Sequence, residues 1–260
     1  MTTTQHIVFF DIDGTLLDQD KKLPKSAKDA IFELKEEGHE VAIATGRAPF
    51  MFEELRKELE IETFVSFNGQ YVVYRGEVIY KNPLDQEALH SMNDLATKNG
   101  HPMVFLDHED MKSNVPEHEH VTESISSLKI DQFPTYDPSY KDREIYQALV
   151  FCVEGEEKAY ETQYEVFDFI RWHEVSVDVI PAGGSKAEGI EKIIERLGVP
   201  KENTVAFGDS LNDLEMLSQL EHGVAMGNGH KRAKEAARYE TKSVEDDGIL
   251  HGLKMVGLLE

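Results

Sequence analysis

The chain has 260 residues, with 50 acidic and 27 basic side chains, a formal charge of −23 and 40% hydrophobic residues. That hydrophobic share supplies a packed core and excludes global disorder. The acidity argues against nucleic acid and against anionic lipid, because both are bound through Lys and Arg, so neither partner is expected.

The longest apolar runs are Ile7 to Phe10 and Ala148 to Val153. Both fall far short of the roughly 20 residues that span a membrane. The first ten residues hold no Lys or Arg and no long apolar stretch, so no secretion signal is expected. The single cysteine, Cys152, cannot close an internal disulfide. Together these features predict a cytoplasmic protein. The length predicts one large or two modest domains.

In chain order, Ile7 to Phe10 is predicted as a strand buried on both faces. Pro24 opens a helix with Ala27, Ile31 and Leu34 at helical spacing, and Gly38 ends it. A strand over Val41 to Ala44 and a helix over Pro49 to Leu59 follow. A strand over Phe64 to Phe67 then runs into an Asn68-Gly69 turn. Tyr71 to Tyr74 and Val78 to Tyr80 form a predicted hairpin. This order implies an α/β fold, a parallel sheet with helices on both faces.

The pattern changes at Asn82-Pro83. Helices are expected over Leu84 to Asn99, Glu117 to Leu128 and Glu156 to Phe167, and strands over Met103 to Leu106, Tyr146 to Val153 and Val175 to Ile180. Gln132 to Arg143 reads as loop, and Trp172-His173 as the start of the last of these strands. After Pro181 the first style returns. Helices are expected over Ser185 to Leu197, Leu211 to Leu217, Lys231 to Ala237 and Asp247 to Leu258, with strands over Thr204 to Phe207 and Gly223 to Ala225. The simplest division is a core of 1–82 plus 182–260, interrupted by an α+β domain over 83–181.

Four segments carry chemistry. Asp11-Ile12-Asp13-Gly14-Thr15-Leu16 follows the first buried run directly. Residues i and i+2 of a strand share a side, which places Asp11 and Asp13 together at the carboxyl edge, where ligands of open α/β sheets bind. Such neighbours repel unless a proton or cation intervenes. An acidic surface loop is the plain alternative. Thr45-Gly46-Arg47 follows the second strand; a hydroxyl and a glycine there suit an anionic oxygen, or an ordinary N-cap with a turn. Arg47 fits either a salt bridge or a substrate contact.

Lys186 falls in the first turn of a helix, where a cation opposes the helix dipole. Its ammonium is then either solvated or held by a phosphate or by the carboxylates. Gly208-Asp209-Ser210-Leu211-Asn212-Asp213 again puts carboxylates after a buried strand, or caps the next helix. Together the four segments surround one crevice with oxygen ligands and no His or Cys, which favours Mg²⁺ over Zn²⁺. The residues His108, His118 and His120 match no zinc spacing and read as a polar loop.

The ordered set DxDGT, TGR, lysine and GDSxND resembles the haloacid dehalogenase-like phosphatase superfamily. The long insertion before the lysine is similar to that of its Cof-type members. Asn68-Gly69, Ala225-Met226-Gly227-Asn228 and Glu245 to Ile249 also match the family's habits. The resemblance spans essentially the whole chain and implies a Rossmann-like core with an inserted α/β cap. It implies that Asp11 attacks phosphorus and becomes an aspartyl phosphate. Asp13 would protonate the leaving oxygen and then activate water.

By the same resemblance, Mg²⁺ is held by Asp11, by the backbone carbonyl of Asp13 and by Asp209, with Asp213 orienting this set. Ile12, Thr45, Gly46, Lys186 and Asn212 would hold the phosphoryl oxygens. The implied activity is hydrolysis of small phosphorylated metabolites, sugar phosphates by default and flavin-pathway or pyridoxal phosphates otherwise, by a monomer or weak homodimer. A phosphohexose mutase shares these motifs. A receiver-like phosphoprotein shares the acidic cluster but needs neither the insertion nor a nucleophile after the first strand.

Overall fold

The computed structural model describes residues 5–130 and 132–260. The elements are β1 Ile7–Phe10, α1 Lys25–Glu36, β2 Glu40–Ala44, α2 Glu53–Leu59, β3 Phe64–Ser66, β4 Tyr71–Tyr74 and β5 Glu77–Lys81. Next come α3 Gln86–Asn99, β6 Met103–Leu106, β7 Met111–Ser113, α4 Glu119–Ser127, β8 Thr135–Tyr136, β9 Gln147–Val150, α5 Lys158–Glu161, β10 Phe167–His173 and β11 Ser176–Pro181. The rest are α6 Lys186–Leu197, β12 Thr204–Gly208, α7 Leu214–Gln219, β13 His222–Ala225, α8 Lys231–Ala236, β14 Tyr239–Glu240 and α9 Gly248–Met255.

These elements form two compact units. One contains the chain through Arg47, Glu53–Tyr80 and Ser185–Glu260; the other contains Ala48–Phe52 and Lys81–Gly184. The short Ala48–Phe52 segment groups with the second unit although its neighbours in sequence group with the first.

The first unit is built on an eight-stranded sheet in the order β14-β13-β12-β1-β2-β3-β4-β5. From β14 to β3 every pair is parallel, and β4 joins β3 antiparallel. Strands of such a sheet are buried on both faces, which explains the unbroken apolar runs. On one face Ile7, Phe9, Ala42, Ala44, Val65 and Ala206 pack against Ile190 and Ile193 of α6 and Met216 and Leu217 of α7. On the other, α1 lies along β2 and α9 approaches so closely that a Cβ on Gly252 would sit 2.4 Å from the Phe207 ring. Fully burying each such large aliphatic or aromatic side chain contributes roughly 1.5–3 kcal/mol.

The second unit carries a six-stranded sheet in the order β10-β11-β9-β6-β7-β8, mostly antiparallel. One face of it, with Met103, Phe105, Ala148, Val150, Val177 and Val179, is covered by Leu89, Met92 and Ala96 of α3 and by Tyr160 of α5. Asp85 caps α3, accepting a hydrogen bond from the Ala88 N–H, and Gly100 ends it in the left-handed region.

Several boundaries differ from the sequence reading. The helix expected over Glu156 to Phe167 is a single turn, Lys158–Glu161, and Phe167 instead opens the seven-residue strand β10. Trp172 and His173 therefore end a strand, where the sequence reading had them begin one. The apparent loop over Gln132 to Arg143 contains β8 and a 3-10 turn at Tyr140–Asp142. The helix expected from Pro49 begins as a 3-10 turn over Pro49–Phe52. The helix expected from Leu211 likewise begins as a 3-10 turn over Leu211–Asp213. Among the described residues, no helix is long and apolar enough to cross a membrane.

Candidate active site

Three adjacent strands of the first unit, β12, β1 and β2, and the first turn of α6 bring the predicted residues to one edge. β1 ends at Phe10, and Asp11 extends its ladder through an Asp11 N–H bond to the Phe207 carbonyl. The chain then folds into a tight turn. The Leu17 N–H donates to the Ile12 carbonyl at 2.8 Å, and the Gly14 N–H to the Leu17 carbonyl at 2.9 Å. Gly14 has φ +83°, and a Cβ there would lie 2.4 Å from Asp209 Oδ2. Glycine is required twice over, by the backbone angle and by the approach of that carboxylate. The Ile12 side chain is fully buried, so only its backbone faces this edge.

In this turn the Asp11 and Asp13 carboxylates are met by different side-chain cations. The Lys186 ammonium, wholly buried, donates to Asp11 Oδ1 at 2.5 Å and to Asp213 Oδ1 at 2.7 Å. The unfavourable place of a lysine in the first turn of α6 is thus offset by two carboxylates. Burial opposes its charge, but Asp11 and Asp213 outweigh this and raise its pKa, so it stays an ammonium. Asp13 is held from the other side. The Arg47 fork donates Nε to Oδ2 at 2.7 Å and a terminal nitrogen to Oδ1 at 2.6 Å, and the Lys21 ammonium reaches Oδ1 at 2.5 Å. Burial pushes Asp13 upward, yet Arg47 and then Lys21 outweigh it and hold the carboxyl below its ordinary range.

β12 delivers Asp209 and, one turn later, Asp213. Both oxygens of Asp213 are occupied: Oδ1 by Lys186, Oδ2 by the backbone N–H groups of Asp209 and Ser210. Asp213 is a fixed support for the loop and the lysine. Asp209 differs, since its Oδ1 is buried without a hydrogen bond. Burial first, and the Asp213 charge second, push its carboxyl up to about 7. Burial likewise raises Asp11, with Asp213 and Asp209 adding to it against Lys186.

Carboxylate oxygens of Asp11, Asp209 and Asp213 lie within 4.8 Å of one another. Three carboxylates answered by one ammonium, with Asp209 Oδ1 unpaired, form an oxygen-only set that fits a hard divalent cation. Asp11 and Asp209 have the oxygens to offer. The Asp13 side chain is engaged elsewhere, which leaves only its backbone carbonyl for such a role.

β2 ends in Thr45, whose Oγ1 accepts from the Arg47 N–H at 3.1 Å and so leaves its own O–H to donate. Gly46 follows. Asn212 donates its side-chain amide to Asn68 Oδ1 at 3.0 Å. Three participants were not legible as such in the sequence. Lys21 reaches Asp13 from a turn, Asn68 stands between Gly46 and Asn212, and Asn228 braces the catalytic turn by donating to the Gly14 carbonyl at 2.8 Å. The Asn68-Gly69 and Ala225 to Asn228 matches were the available signals for the last two; nothing marked Lys21. The histidine-rich segment has a local explanation: His118 caps α4, and its ring meets that of His120 edge-on at 5.0 Å.

This fold and this edge are those of haloacid dehalogenase-like hydrolases, and a profile of that family matches residues 8–253. The chain belongs to this family and is a hydrolase of its phosphatase kind. It is 49% identical over 254 residues to the Bacillus subtilis protein named "Putative phosphatase YkrA", covering 98% of both chains. It is 30% identical over 269 residues to 5-amino-6-(5-phospho-D-ribitylamino)uracil phosphatase YitU of the same organism, again covering 98% of each. The solved structure of BT4131, a HAD subclass IIB sugar phosphatase, superposes with a TM-score of 0.85 at 32% identity, covering 98% of this chain and 100% of that one.

Proposed function

We propose that this protein is a Mg²⁺-dependent, cytoplasmic phosphomonoesterase acting on small phosphorylated metabolites through a phosphorylated Asp11. The observation that carries the reading is the triad of Asp11, Asp209 and Lys186 at one edge, with Asp13 held separately beside it. The relatives named for a sugar phosphatase and for a phosphorylated ribityl compound support a polyhydroxylated phosphate ester as substrate. The unit of residues 81–184 is assigned as the inserted cap that selects the leaving group, and the other unit as the catalytic core.

Asp11 is the nucleophile because it extends β1 into the site with one oxygen anchored on Lys186, leaving the other to attack phosphorus. Lys186 also neutralises part of the charge that a phosphate dianion brings among aspartates. A divalent cation on Asp11, Asp209 and the Asp13 carbonyl would supply the rest of that neutralisation. The Thr45 hydroxyl, the backbone at Ile12 and Gly46, and Asn212 hold the phosphoryl oxygens. Asp13 gives a proton to the departing oxygen and later takes one from the water that hydrolyses the aspartyl phosphate. Arg47 and Lys21 favour the ionised Asp13, so to act as the acid it must first part from one of these donors and take up a proton from solvent.

Incubation with p-nitrophenyl phosphate tests the reading. Hydrolysis should require Mg²⁺, stop with EDTA, and fall at least about a thousandfold in Asp11→Asn. Turnover unchanged by EDTA would contradict it.

A further inference from the structure

Asn68 belongs to a chain of oriented amides that ends in an unspent donor. The Ser210 hydroxyl donates to Asn212 Oδ1 at 2.6 Å, and the Asn212 amide donates to Asn68 Oδ1 at 3.0 Å. With Asn68 Oδ1 accepting from Asn212, the Asn68 NH₂ faces the other way, and no group among the described residues accepts from it. The carboxamide lies against Gly46: a Cβ built there would come within 3.1 Å of both of its terminal atoms. Thr45, whose carbonyl accepts the Asn68 N–H, and Asn212 flank it.

The backbone supports a functional placement. Phe67 and Asn68 both have positive φ, 50° and 52°, in succession. For a bulky aromatic such an angle is costly, and strain of this kind is kept where the surroundings impose it. The following Gly69 lies so near α6 that a Cβ would meet the Ser185 carbonyl at 2.1 Å. The turn is therefore wedged between α6 and the end of β2, which aims Asn68 at the edge where Thr45 and Gly46 emerge.

We infer that the free amide of Asn68 is a further donor to the phosphoryl group, held in place by Asn212. This rests on the phosphatase reading. It divides the labour of the two asparagines: Asn212 spends one amide hydrogen on orientation, and Asn68 turns that orientation into a bond to an anionic oxygen. A donor kept unpaired and oriented before the ligand arrives needs no rearrangement on binding.

The test is inhibition by inorganic phosphate, measured against p-nitrophenyl phosphate hydrolysis at fixed Mg²⁺. Asn68→Asp keeps the shape, the tolerance for positive φ and the acceptor for Asn212, and replaces only the NH₂ with an anionic oxygen. Its inhibition constant should rise about thirtyfold, as for loss of a charge-assisted bond with added repulsion. Asn68→Gly, also at ease at this φ, should raise it about fivefold. The KM should rise in parallel in both variants. A folded Asn68→Asp with a wild-type melting temperature and phosphate inhibition within about twofold of wild type overturns the inference. So does a raised KM with unchanged phosphate inhibition, which would place the amide at the leaving group. A wild-type protein that hydrolyses nothing would instead overturn the phosphatase reading itself.

Discussion

Lys186 joins two parts of the site that sequence spacing keeps far apart. It is buried between Asp11 and Asp213, so its removal leaves two carboxylates facing each other without a cation. Breaking a buried pair in this way costs roughly 3–5 kcal/mol. Lys186→Met should therefore lose about that much stability in urea unfolding without Mg²⁺, as well as activity. A loss below about 1 kcal/mol would show that the carboxylates are neutralised by other means. The sequence exposed Lys186 because a cation in a first helical turn is locally wrong. It exposed the aspartates because they follow buried runs. It could not expose Lys21 or the partner of Arg47, since both depend on how the 11–22 segment folds back. The bridge between Asp13 and Leu17, with Lys21 at φ 61°, is a tertiary detail with no periodicity to announce it.

Secondary structure was legible wherever burial on both faces produced an unbroken apolar run, as in β1, β2 and β12. It was less so in the 81–184 unit. The β10 sequence, Phe-Asp-Phe-Ile-Arg-Trp-His, alternates as an edge strand should, but it follows a Glu- and Tyr-rich stretch that mimics a helix. The short strands β7, β8 and β14 lie at or near sheet edges and carry too few residues for a pattern.

One polar residue in this unit has a measurable consequence for its sheet. Asp178 on β11 is pushed up to about 7 by burial, against the lowering effect of Gln147. An acid whose folded pKa is raised weakens the fold. The penalty is absent below the unfolded value near 3.8, grows as pH rises towards about 7, and stays constant above that. Asp178→Asn should thus gain about 2 kcal/mol at pH 8, a figure reduced because water reaches part of the group, and almost nothing near pH 3, where the acid is protonated in both folded and unfolded chains. Equal melting shifts at both pH values would contradict the assignment. The Glu157 carboxyl behaves oppositely. The Arg171 fork holds it down to about 2, and this ion pair ties the segment before α5 to β10. Its contribution is present above pH 4.5 and lost as pH falls towards 2. Glu157→Gln should cost about 1 kcal/mol at neutral pH, with the difference vanishing near pH 2.

At the scale of the whole molecule, the formal charge of −23 argues against polyanionic partners but not against small phosphates. Four of the acids, Asp11, Asp13, Asp209 and Asp213, gather at one edge; Lys186 answers Asp11 and Asp213, Arg47 and Lys21 answer Asp13, and Asp209 keeps an oxygen without a partner. The remaining field should slow the approach of anionic substrates. Raising ionic strength from about 10 mM to 150 mM at fixed Mg²⁺ should lower the apparent KM for a dianionic ester. An unchanged KM would leave the acidity without a part in turnover.

The division into a sheet built from both ends of the chain and a second unit from its middle follows from where the apolar runs fall. The same runs put Asp11, Thr45 and Asp209 on neighbouring strands. The central claim is that Asp11 is phosphorylated during turnover. Acid quenching of the enzyme during hydrolysis of a phosphate ester with Mg²⁺, followed by peptide mass mapping, tests it directly. The peptide containing Asp11 should gain the mass of one phosphoryl group, and the gain should be absent in Asp11→Asn. Full turnover with that peptide unmodified at every quench time, or a phosphoryl group on another residue, would contradict the account.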